Sequence, residues 1–455
     1  MNRQIFREYD IRGVIEKDLK PEVVRNLGKA FGTTVRRNGG KVVSVGYDAR
    51  RSSPELHEQL TGGIMSTGVD VISIGLVPTP LLYYSLYHLH TDGGVMITGS
   101  HNPPEFNGFK LNLGKGSIYG AGIQALADLI EKGDFETGHG SIKTVDVIED
   151  YVNMVKGKII LGRKLKIVID AGNGCGGIFA PRLMRELGCE VIELFCDVDG
   201  TFPNHHPDPT VPKNLKHLID KVCETGAEVG IAYDGDADRI GVVDENGGIL
   251  FGDQLMMIFA RDILKRKPGA AIVYDVKCSQ NLTDDITKHG GRPVINATGH
   301  SLIKARLNSE KAELAGEMSA HIFFKDEYYG YDDAIFATAR FARIMGESSM
   351  KVSRFLEDAP KVFNTPEIRV DCPDDVKFGL IKDITDHFKK THDVVDIDGA
   401  RVNFGDGWGL VRASNTQPVL VLRFEAQSEK RLEELKRLFH DKLASYPAMK
   451  GTPMF

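Results

Sequence analysis

The stretch from Thr98 to Lys110 contains side chains that could carry or transfer a chemical group. It holds the hydroxyl of Ser100, the imidazole of His101 and the ammonium group of Lys110. The β-forming residues 95–97 lead directly into it, so we expect Ser100 where a strand ends and a loop begins. Gly, Ser, Asn and Pro are also ordinary turn residues, so a plain turn explains this stretch equally well when it is taken alone.

Three carboxylates lie at alternate positions in the segment 234–239, Asp-Gly-Asp-Ala-Asp-Arg. Carboxylates this close together repel one another unless a cation relieves them, and hard oxygen ligands at this density suit Mg²⁺ or Ca²⁺. An EF-hand does not fit, because Arg239 stands where that calcium loop needs glycine and because strand-forming residues flank the segment. The segment therefore predicts a divalent-metal site at Asp234, Asp236 and Asp238, on a loop between two strands.

Two further loops carry groups that could hold a polar, phosphorylated ligand. Glu317 and Ser319 offer partners for sugar hydroxyls, and His321 adds a group that ordinarily titrates near neutral pH. The segment Arg412–Pro418 surrounds one guanidinium group with hydroxyls, an amide and loop N–H groups, which suits a phosphate. On composition alone, a polar hairpin explains this last segment about as well.

A glycine-rich turn supports a different hypothesis. Gly172–Gly177 fits the spacing G-x-G-x-x-G after a strand and before a helix, and Asp197 follows about 20 residues on. This is the pattern of a dinucleotide site, and it would make the chain a nicotinamide-dependent dehydrogenase. Glycine-rich turns also occur for packing reasons, and a dehydrogenase would leave Ser100 and the three aspartates without a role.

The composition is that of an ordinary globular protein, with 42% hydrophobic and 26% charged residues. No apolar run approaches the ~18 residues that cross a bilayer, and the first residues lack the apolar core of a secretion signal. Six cysteines occur without a C-x-x-C pair, as is typical of reduced thiols. A net charge of −6 argues against nucleic acid as the main partner. We expect a cytoplasmic protein that acts on small molecules, with neither nucleic-acid nor membrane partners.

At 455 residues the chain is long enough for three or four domains. An order of strand, helix, strand, helix, strand and polar loop occurs three times, and the three loops hold Ser100, the aspartates and Glu317. Ligands gather beyond the carboxyl ends of parallel strands, so three similar mixed-sheet α/β domains could turn matching edges toward one cleft. The part of the chain after the third repeat predicts a smaller α+β domain. The predicted boundaries are residues 1–147, 148–248, 249–360 and 361–455.

Four segments together resemble the α-D-phosphohexomutase superfamily, and within it the bacterial phosphomannomutase/phosphoglucomutase family. They are T-G-S-H-N-P-P-x-x-N-G-F-K at 98–110, D-G-D-A-D-R at 234–239, G-E-M-S-A-H at 316–321 and R-A-S-N-T at 412–416. In that order they are similar to the superfamily's phosphoserine, metal, sugar-specificity and phosphate-binding loops. The resemblance covers essentially the whole chain. It implies four domains in a heart-shaped arrangement around a central cleft.

The resemblance implies an enzyme that interconverts hexose 1-phosphate and hexose 6-phosphate, with mannose, glucose or both as the sugar. Ser100 would carry a phosphoryl group, one Mg²⁺ would bridge it to the three aspartates, and a hexose 1,6-bisphosphate would be the intermediate. The further residues implied in catalysis or substrate binding are Tyr9, Arg12, Lys110, Arg239, Lys277, His300, Glu317, Ser319, His321, Arg412, Ser414, Asn415 and Thr416. His101, beside the serine, joins the catalytic candidates.

Three questions stay open at this point. Lys110 and His321 are both candidates for general acid and base. Met318 resembles the mannose/glucose branch, whereas glutamine there would indicate a phosphoglucosamine mutase, which is the alternative function within the superfamily. Ala320 and Gln417 stand where many relatives carry Gly and Thr, which leaves the fine geometry of two loops open. We expect a monomer.

Overall fold

The computed structural model of the chain describes residues 1–414 and 418–449. These residues form four sheets in succession, each with its own helices, and the predicted fold class of three mixed-sheet α/β domains and one α+β domain is confirmed. Asn415, Thr416 and Gln417 of the predicted phosphate-binding loop lie outside the described residues. Within the described ranges, no helix is both long and apolar enough to cross a membrane.

The first domain is built on a seven-stranded sheet. Its strands are β1 (Ile11–Val14), β2 (Val42–Tyr47), β3 (Asp70–Leu76), β4 (Gly93–Ile97), β5 (Phe106–Leu113), β6 (Gly116–Ser117) and β7 (Ile142–Thr144). Its helices are α1 (Ile15–Asp18), α2 (Pro21–Arg37), α3 (Ser53–Met65), α4 (Thr79–His88) and α5 (Ala121–Lys132). Strand β4, which leads to Ser100, is buried along its whole length, because Val95 and Ile97 share a core with α2 and α3 while Met96 shares one with α4.

The second domain has five strands and three helices. They are α6 (Ile148–Lys158), β8 (Lys166–Asp170), α7 (Ala180–Glu186), β9 (Glu190–Leu194), α8 (Lys216–Thr225), β10 (Val229–Tyr233), β11 (Ile240–Asp244) and β12 (Ile249–Leu250). Strands β10 and β11 are apolar and fully buried, so the acidic segment between them is held at both ends by core strands.

The third domain has four strands and four helices. They are α9 (Gly252–Arg266), β13 (Ala271–Asp275), α10 (Gln280–Lys288), β14 (Arg292–Asn296), α11 (His300–Ser309), β15 (Leu314–Gly316), β16 (Ile322–Phe324) and α12 (Ala334–Gly346). Strands β13, β15 and β16 are buried, which fixes both ends of the loop that contains Glu317.

These three sheets share one strand order. The matching rows are β5-β4-β2-β3, β11-β10-β8-β9 and β16-β15-β13-β14. In each row, a loop follows the third strand of the repeat and returns along an antiparallel strand. The loops of Ser100, the aspartates and Glu317 all occupy this position, so the predicted repeat places the three loops at equivalent points of three sheets.

The fourth domain is an antiparallel sheet with two helices. Its elements are β17 (Phe363–Asn364), β18 (Ile368–Asp371), α13 (Asp374–Phe388), β19 (Asp393–Val395), β20 (Ala400–Asn403), β21 (Gly407–Ala413), β22 (Val419–Ala426) and α14 (Glu429–Ala444). It docks on the third domain through buried arginines: Arg401 donates to the carbonyl oxygens of Val276 and Cys278, each at 2.8 Å, and Arg423 donates to that of Lys277 at 2.9 Å.

Candidate active site

Ser100 lies in the loop between β4 and β5 and is 3% exposed. Its Oγ donates to Oδ2 of Asp234 at 2.7 Å and lies 3.0 Å from Nδ1 of His101. The Ser100 backbone has a φ of 47°, in the left-handed region that residues with a side chain rarely adopt. The hydroxyl is therefore fixed in one direction, toward the acidic loop of the second domain.

The loop keeps this shape because Arg50 lies beneath it. Arg50 is 1% exposed, follows β2 and forms an ion pair with Asp48. Its guanidinium group donates to four carbonyl oxygens of the loop: those of Ser100 (2.7 Å), Asn102 (2.5 Å), Pro103 (2.6 Å) and Phe106 (3.0 Å). Since buried carbonyl groups need hydrogen-bond donors, this single side chain holds the loop at four backbone acceptors.

The three predicted metal ligands form one buried cluster. Asp234, Asp236 and Asp238 are all 0% exposed, and one carboxylate oxygen from each lies within 4.8 Å of the other two. Oδ1 of Asp236 is buried and has no hydrogen-bond partner among the described residues. A buried carboxylate oxygen without a donor is a free ligand position, and three carboxylates this close together are the ligand set of a hard divalent cation. The residues present therefore fit a metal ion.

Lys110 supplies positive charge to this cluster from strand β5. Its Nζ donates to Oδ2 of Asp236 at 2.8 Å and also to Oδ2 of Asp238. Burial works against the ammonium charge, but the two carboxylates outweigh it and raise the pKa of Lys110 well above its usual value. The same lysine limits the pKa of Asp238: burial would raise it, yet Lys110 and His321 hold it well below the usual value.

His321 connects the acidic loop to the loop of the third domain. Nδ1 lies 2.8 Å from Oε2 of Glu317, and Nε2 lies 3.1 Å from Oδ1 of Asp238. Burial disfavours the charged ring, but Asp238 and Glu317 overcome this effect and raise the pKa of His321 to about 9. Two carboxylates enclose the ring, and they account for this rise above the near-neutral pKa of an ordinary histidine.

Two other predicted histidines have lowered pKa values. Burial, with help from Arg239 and Arg12, lowers the pKa of His101 well below its usual value. Burial and Lys304 do the same to His300, whose ring centroid lies 5.7 Å from that of His321. The pKa of His321 is thus raised while those of His101 and His300 are lowered.

Two more predicted basic residues lie where the third and fourth domains meet. Lys277 is buried between Asp275 and Glu367, at 3.6 and 3.4 Å. Its charge is the main reason why the pKa of Glu367 falls to about 2. Arg412, at the end of β21, donates from Nε to Asp398 at 2.8 Å.

The other predicted residues lie around these groups. The Tyr9 hydroxyl donates to the carbonyl oxygen of Thr298 at 2.7 Å, which joins the first domain to the third. Arg12 donates to Asn102 of the serine loop at 2.7 Å, and Nε of Arg239 lies 3.1 Å from Nε2 of His321. Ser319 is half-buried on the loop after β15, and Ser414 is buried at the end of the described part of the phosphate-binding loop.

Sequence reasoning missed three residues that position the site. Arg50 holds the serine loop, Thr79 donates to Oδ2 of Asp236 at 2.5 Å, and Asp398 accepts from both Arg412 and the backbone of Thr298. Arg50 and Thr79 both follow parallel strands, β2 and β3. The rule that function gathers at carboxyl ends of such strands was therefore a usable signal for these two.

The glycine-rich turn does not form a dinucleotide site. The backbone N–H of Cys175 donates to the carbonyl oxygen of Gly235 in the acidic loop at 3.0 Å. A Cβ at Gly174 would lie 2.7 Å from that same oxygen, and one at Gly177 would lie 2.1 Å from the carbonyl oxygen of Cys196. The glycines permit close packing against protein where a pyrophosphate would have to lie, so the dehydrogenase hypothesis is wrong and the turn supports the acidic loop.

Four family models match most of the chain. Three models described as phosphoglucomutase/phosphomannomutase alpha/beta/alpha domains I, II and III match residues 3–137, 149–248 and 251–363. The model described as the phosphoglucomutase/phosphomannomutase C-terminal domain matches residues 367–442. The order of the four matches is the order of the four sheets.

Individual proteins show the same similarity. The phosphomannomutase/phosphoglucomutase of Pseudomonas putida is 47% identical over 444 residues, which cover 96% of this chain and 95% of that protein. The phosphoglucomutase of Neisseria meningitidis serogroup A is 44% identical over 450 residues, 98% of each chain. The crystal structure of a phosphoglucomutase/phosphomannomutase family protein from Burkholderia thailandensis has a TM-score of 0.93 and 44% identity, covering 100% of this chain and 99% of its own.

Proposed function

Because this chain belongs to the phosphoglucomutase/phosphomannomutase family, it is a hexose-phosphate mutase, and we propose that Ser100 carries the phosphoryl group that it moves. One observation supports this role above the others. The Ser100 hydroxyl is held 2.7 Å from Asp234, inside a buried cluster of three carboxylates that fits a metal ion. We further propose mannose and glucose phosphates as substrates, since relatives at 44–47% identity bear both names.

We assign Asp234, Asp236 and Asp238, with the oxygen on Ser100, as the residues that would hold one Mg²⁺. When bound, Mg²⁺ supplies positive charge that offsets the charge on phosphoryl oxygens. The protein contributes the remaining charge through Lys110, which already bonds two of these carboxylates, and through Arg239 beside them. This arrangement places fixed positive groups around the serine oxygen before a substrate arrives.

The proposed transfer moves one phosphoryl group from the serine oxygen to a sugar oxygen. The bond between phosphorus and Oγ of Ser100 breaks as the free hydroxyl oxygen of a hexose phosphate bonds to that phosphorus. The substrate hydroxyl loses its proton to a base, and Oγ gains one from an acid. A hexose 1,6-bisphosphate results, and after it turns over, its other phosphoryl group returns to Oγ. Lys110 and His321 are the two groups that we propose for proton transfer.

Turnover of the bisphosphate requires a site that accepts the sugar in two orientations. Glu317 and Ser319 lie on one loop and offer polar groups to the middle of the ring. Arg412 and Lys277, buried at the far end of the cleft, offer positive charge to whichever phosphate is distant from Ser100. A bisphosphate has similar charge at both ends, so one cradle can hold either phosphate.

A coupled mutase assay tests the proposed function. We expect turnover of mannose 1-phosphate and glucose 1-phosphate to the 6-phosphates, with a trace of the matching 1,6-bisphosphate as activator. Glucosamine phosphate should be turned over at least about tenfold more slowly, because a substrate that leaves polar contacts unmade loses roughly 1.4 kcal/mol or more. Faster turnover of glucosamine phosphate would favour a phosphoglucosamine mutase, and release of inorganic phosphate in place of isomer would indicate a phosphatase.

Replacing Asp236 by asparagine should weaken the response of the enzyme to Mg²⁺. The amide keeps the size of the side chain but removes one charge from the carboxylate cluster, so the Mg²⁺ concentration for half-maximal activity should rise at least about tenfold. Titrating activity with Mg²⁺ measures this shift. Asp70→Asn, the same change at an exposed residue of the first domain, is the control. An identical Mg²⁺ response in Asp236→Asn and wild type would place the metal elsewhere.

A further inference from the structure

A small polar pocket lies between the first and third domains, apart from the residues assigned to catalysis. Its volume is about 110 Å³. On one side it is lined by Asn112 and Lys115 of the β5–β6 hairpin, and on the other by Ser301 and Lys304 of α11. These α11 residues are three apart, which places them on one face of the helix. None of the described residues that line the pocket belongs to the active site proposed above.

Two buried polar atoms at the wall of this pocket have no partner among the described residues. They are Oδ1 of Asn112, which is 2% exposed, and Oγ of Ser301, which is 1% exposed. An unpartnered buried polar group costs about 1–3 kcal/mol, so native proteins rarely leave one without a ligand or water. Two residues with such atoms line one small pocket from two domains, which indicates a polar molecule between them.

The charge of the lining shows which kind of molecule fits. The described lining residues include two lysines, Lys115 and Lys304, and no aspartate or glutamate. Nζ of Lys304 donates to the Tyr83 hydroxyl at 3.0 Å and to Asp332 at 3.1 Å. An ammonium group has three donor hydrogens, so one remains for a ligand. Asp332 offsets the charge of Lys304, but no carboxylate of the described lining offsets that of Lys115, so the pocket favours an anion.

We propose that this pocket binds hydrogen phosphate. A water molecule occupies about 30 Å³ of liquid volume, so the pocket has room for one tetrahedral oxyanion or a few waters. Lys115, Lys304 and Ser301 donate to the ligand oxygens. The ligand's own P–OH group donates to Oδ1 of Asn112, which is an acceptor. Sulfate carries no proton near neutral pH and cannot make this last bond.

The ligand would join two domains that contribute different parts of the active site. Asn112 lies two residues beyond Lys110 on β5, so the two side chains emerge on the same face of that strand. Lys304 follows His300 by one turn of α11. Bound phosphate therefore holds the strand that carries Lys110 next to the helix that carries His300. This proposal does not depend on the phosphoserine mechanism.

Calorimetric titration with inorganic phosphate tests the proposal. The full-length enzyme is first saturated with glucose 1,6-bisphosphate, so that the catalytic cleft is filled. We expect one phosphate per chain, binding at least about tenfold more weakly to Lys115→Met and to Ser301→Ala, since each loses a hydrogen bond to a charged ligand. Sulfate should also bind at least about tenfold more weakly than phosphate. Lys132→Met, at the end of α5, is the matched control and should bind phosphate as the wild type does.

Three outcomes would overturn the proposal. Absence of saturable phosphate binding would mean that the pocket holds water only. Equal loss of affinity in Lys132→Met and Lys115→Met would mean that phosphate affinity depends on the net charge of the protein and not on this pocket. Equal affinity for sulfate and phosphate would mean that the Asn112 acceptor does not select the ligand. Thermal unfolding of each variant beforehand ensures that any lost binding comes from a folded enzyme.

Discussion

Replacing Ser100 by alanine should abolish mutase turnover, lowering kcat by about 10⁴-fold or more, as the loss of a covalent nucleophile does elsewhere. Alanine cannot hold a phosphoryl group, and no other hydroxyl occupies the 2.7 Å position beside Asp234 in the described part of the site. The basic groups around the cluster remain, so substrate should still bind. The expected change is therefore in kcat, with a much smaller change in KM.

Mass measurement separates this explanation from simple misfolding. Intact wild-type protein should carry an adduct of about 80 Da that maps to Ser100, and the Ser100→Ala protein should lack it. Ser66→Ala, at the end of α3, is a matched change that should keep both the adduct and the activity. Turnover of Ser100→Ala within tenfold of the wild-type rate, or an adduct that maps to another residue, would end the phosphoserine proposal.

Replacing Arg50 by methionine should open the serine loop. The change removes the cation paired with buried Asp48 and removes one donor from each of four loop carbonyl groups. Breaking a buried pair in this way costs about 3–5 kcal/mol. The free energy of opening residues 98–106 should fall by about that amount, which corresponds to amide exchange at least about 100-fold faster. Mutase activity should fall with it, since Ser100 would lose its fixed direction.

Hydrogen exchange read by mass spectrometry on peptides that span residues 95–110 measures this opening. Arg51→Met is the control, because Arg51 is the exposed neighbour of Arg50 and carries the same charge. Arg50→Lys should recover only part of the protection, because an ammonium group cannot reach all the acceptors that a guanidinium fork reaches. Exchange in Arg50→Met at the wild-type rate would mean that the loop holds its shape without this side chain.

Three of the loops that carry chemical groups were predictable from the sequence, because a few neighbouring residues mark each one. A run of β-formers ahead of Ser100, three aspartates at alternate positions and Glu317 after a short strand each show their strand-to-loop position in a few residues. The threefold repeat of strands and helices then places these loops at equivalent edges, and the sheets have that order.

The residues that sequence reasoning missed act across long separations. Arg50 donates to carbonyl groups about 50 positions away in the sequence, and Thr79 donates to an aspartate in another domain. Nothing in their own neighbourhoods indicates those partners. The raised pKa of His321 was not predictable for the same reason. It depends on Asp238, which lies close to His321 only in the folded chain. The glycine-rich turn led to the wrong prediction of a dinucleotide site. Close packing and phosphate binding both require glycine, so the motif does not distinguish them.

The left-handed backbone of Ser100 limits how this enzyme can be made more thermostable. A residue other than glycine in such a conformation costs about 1–3 kcal/mol, and folding supplies that energy once, before any catalytic cycle. Relaxing the loop would raise the melting temperature but would turn the hydroxyl away from Asp234. Variants selected for both heat resistance and activity should therefore keep residues 98–102 unchanged. Their stabilising substitutions should lie far from this loop.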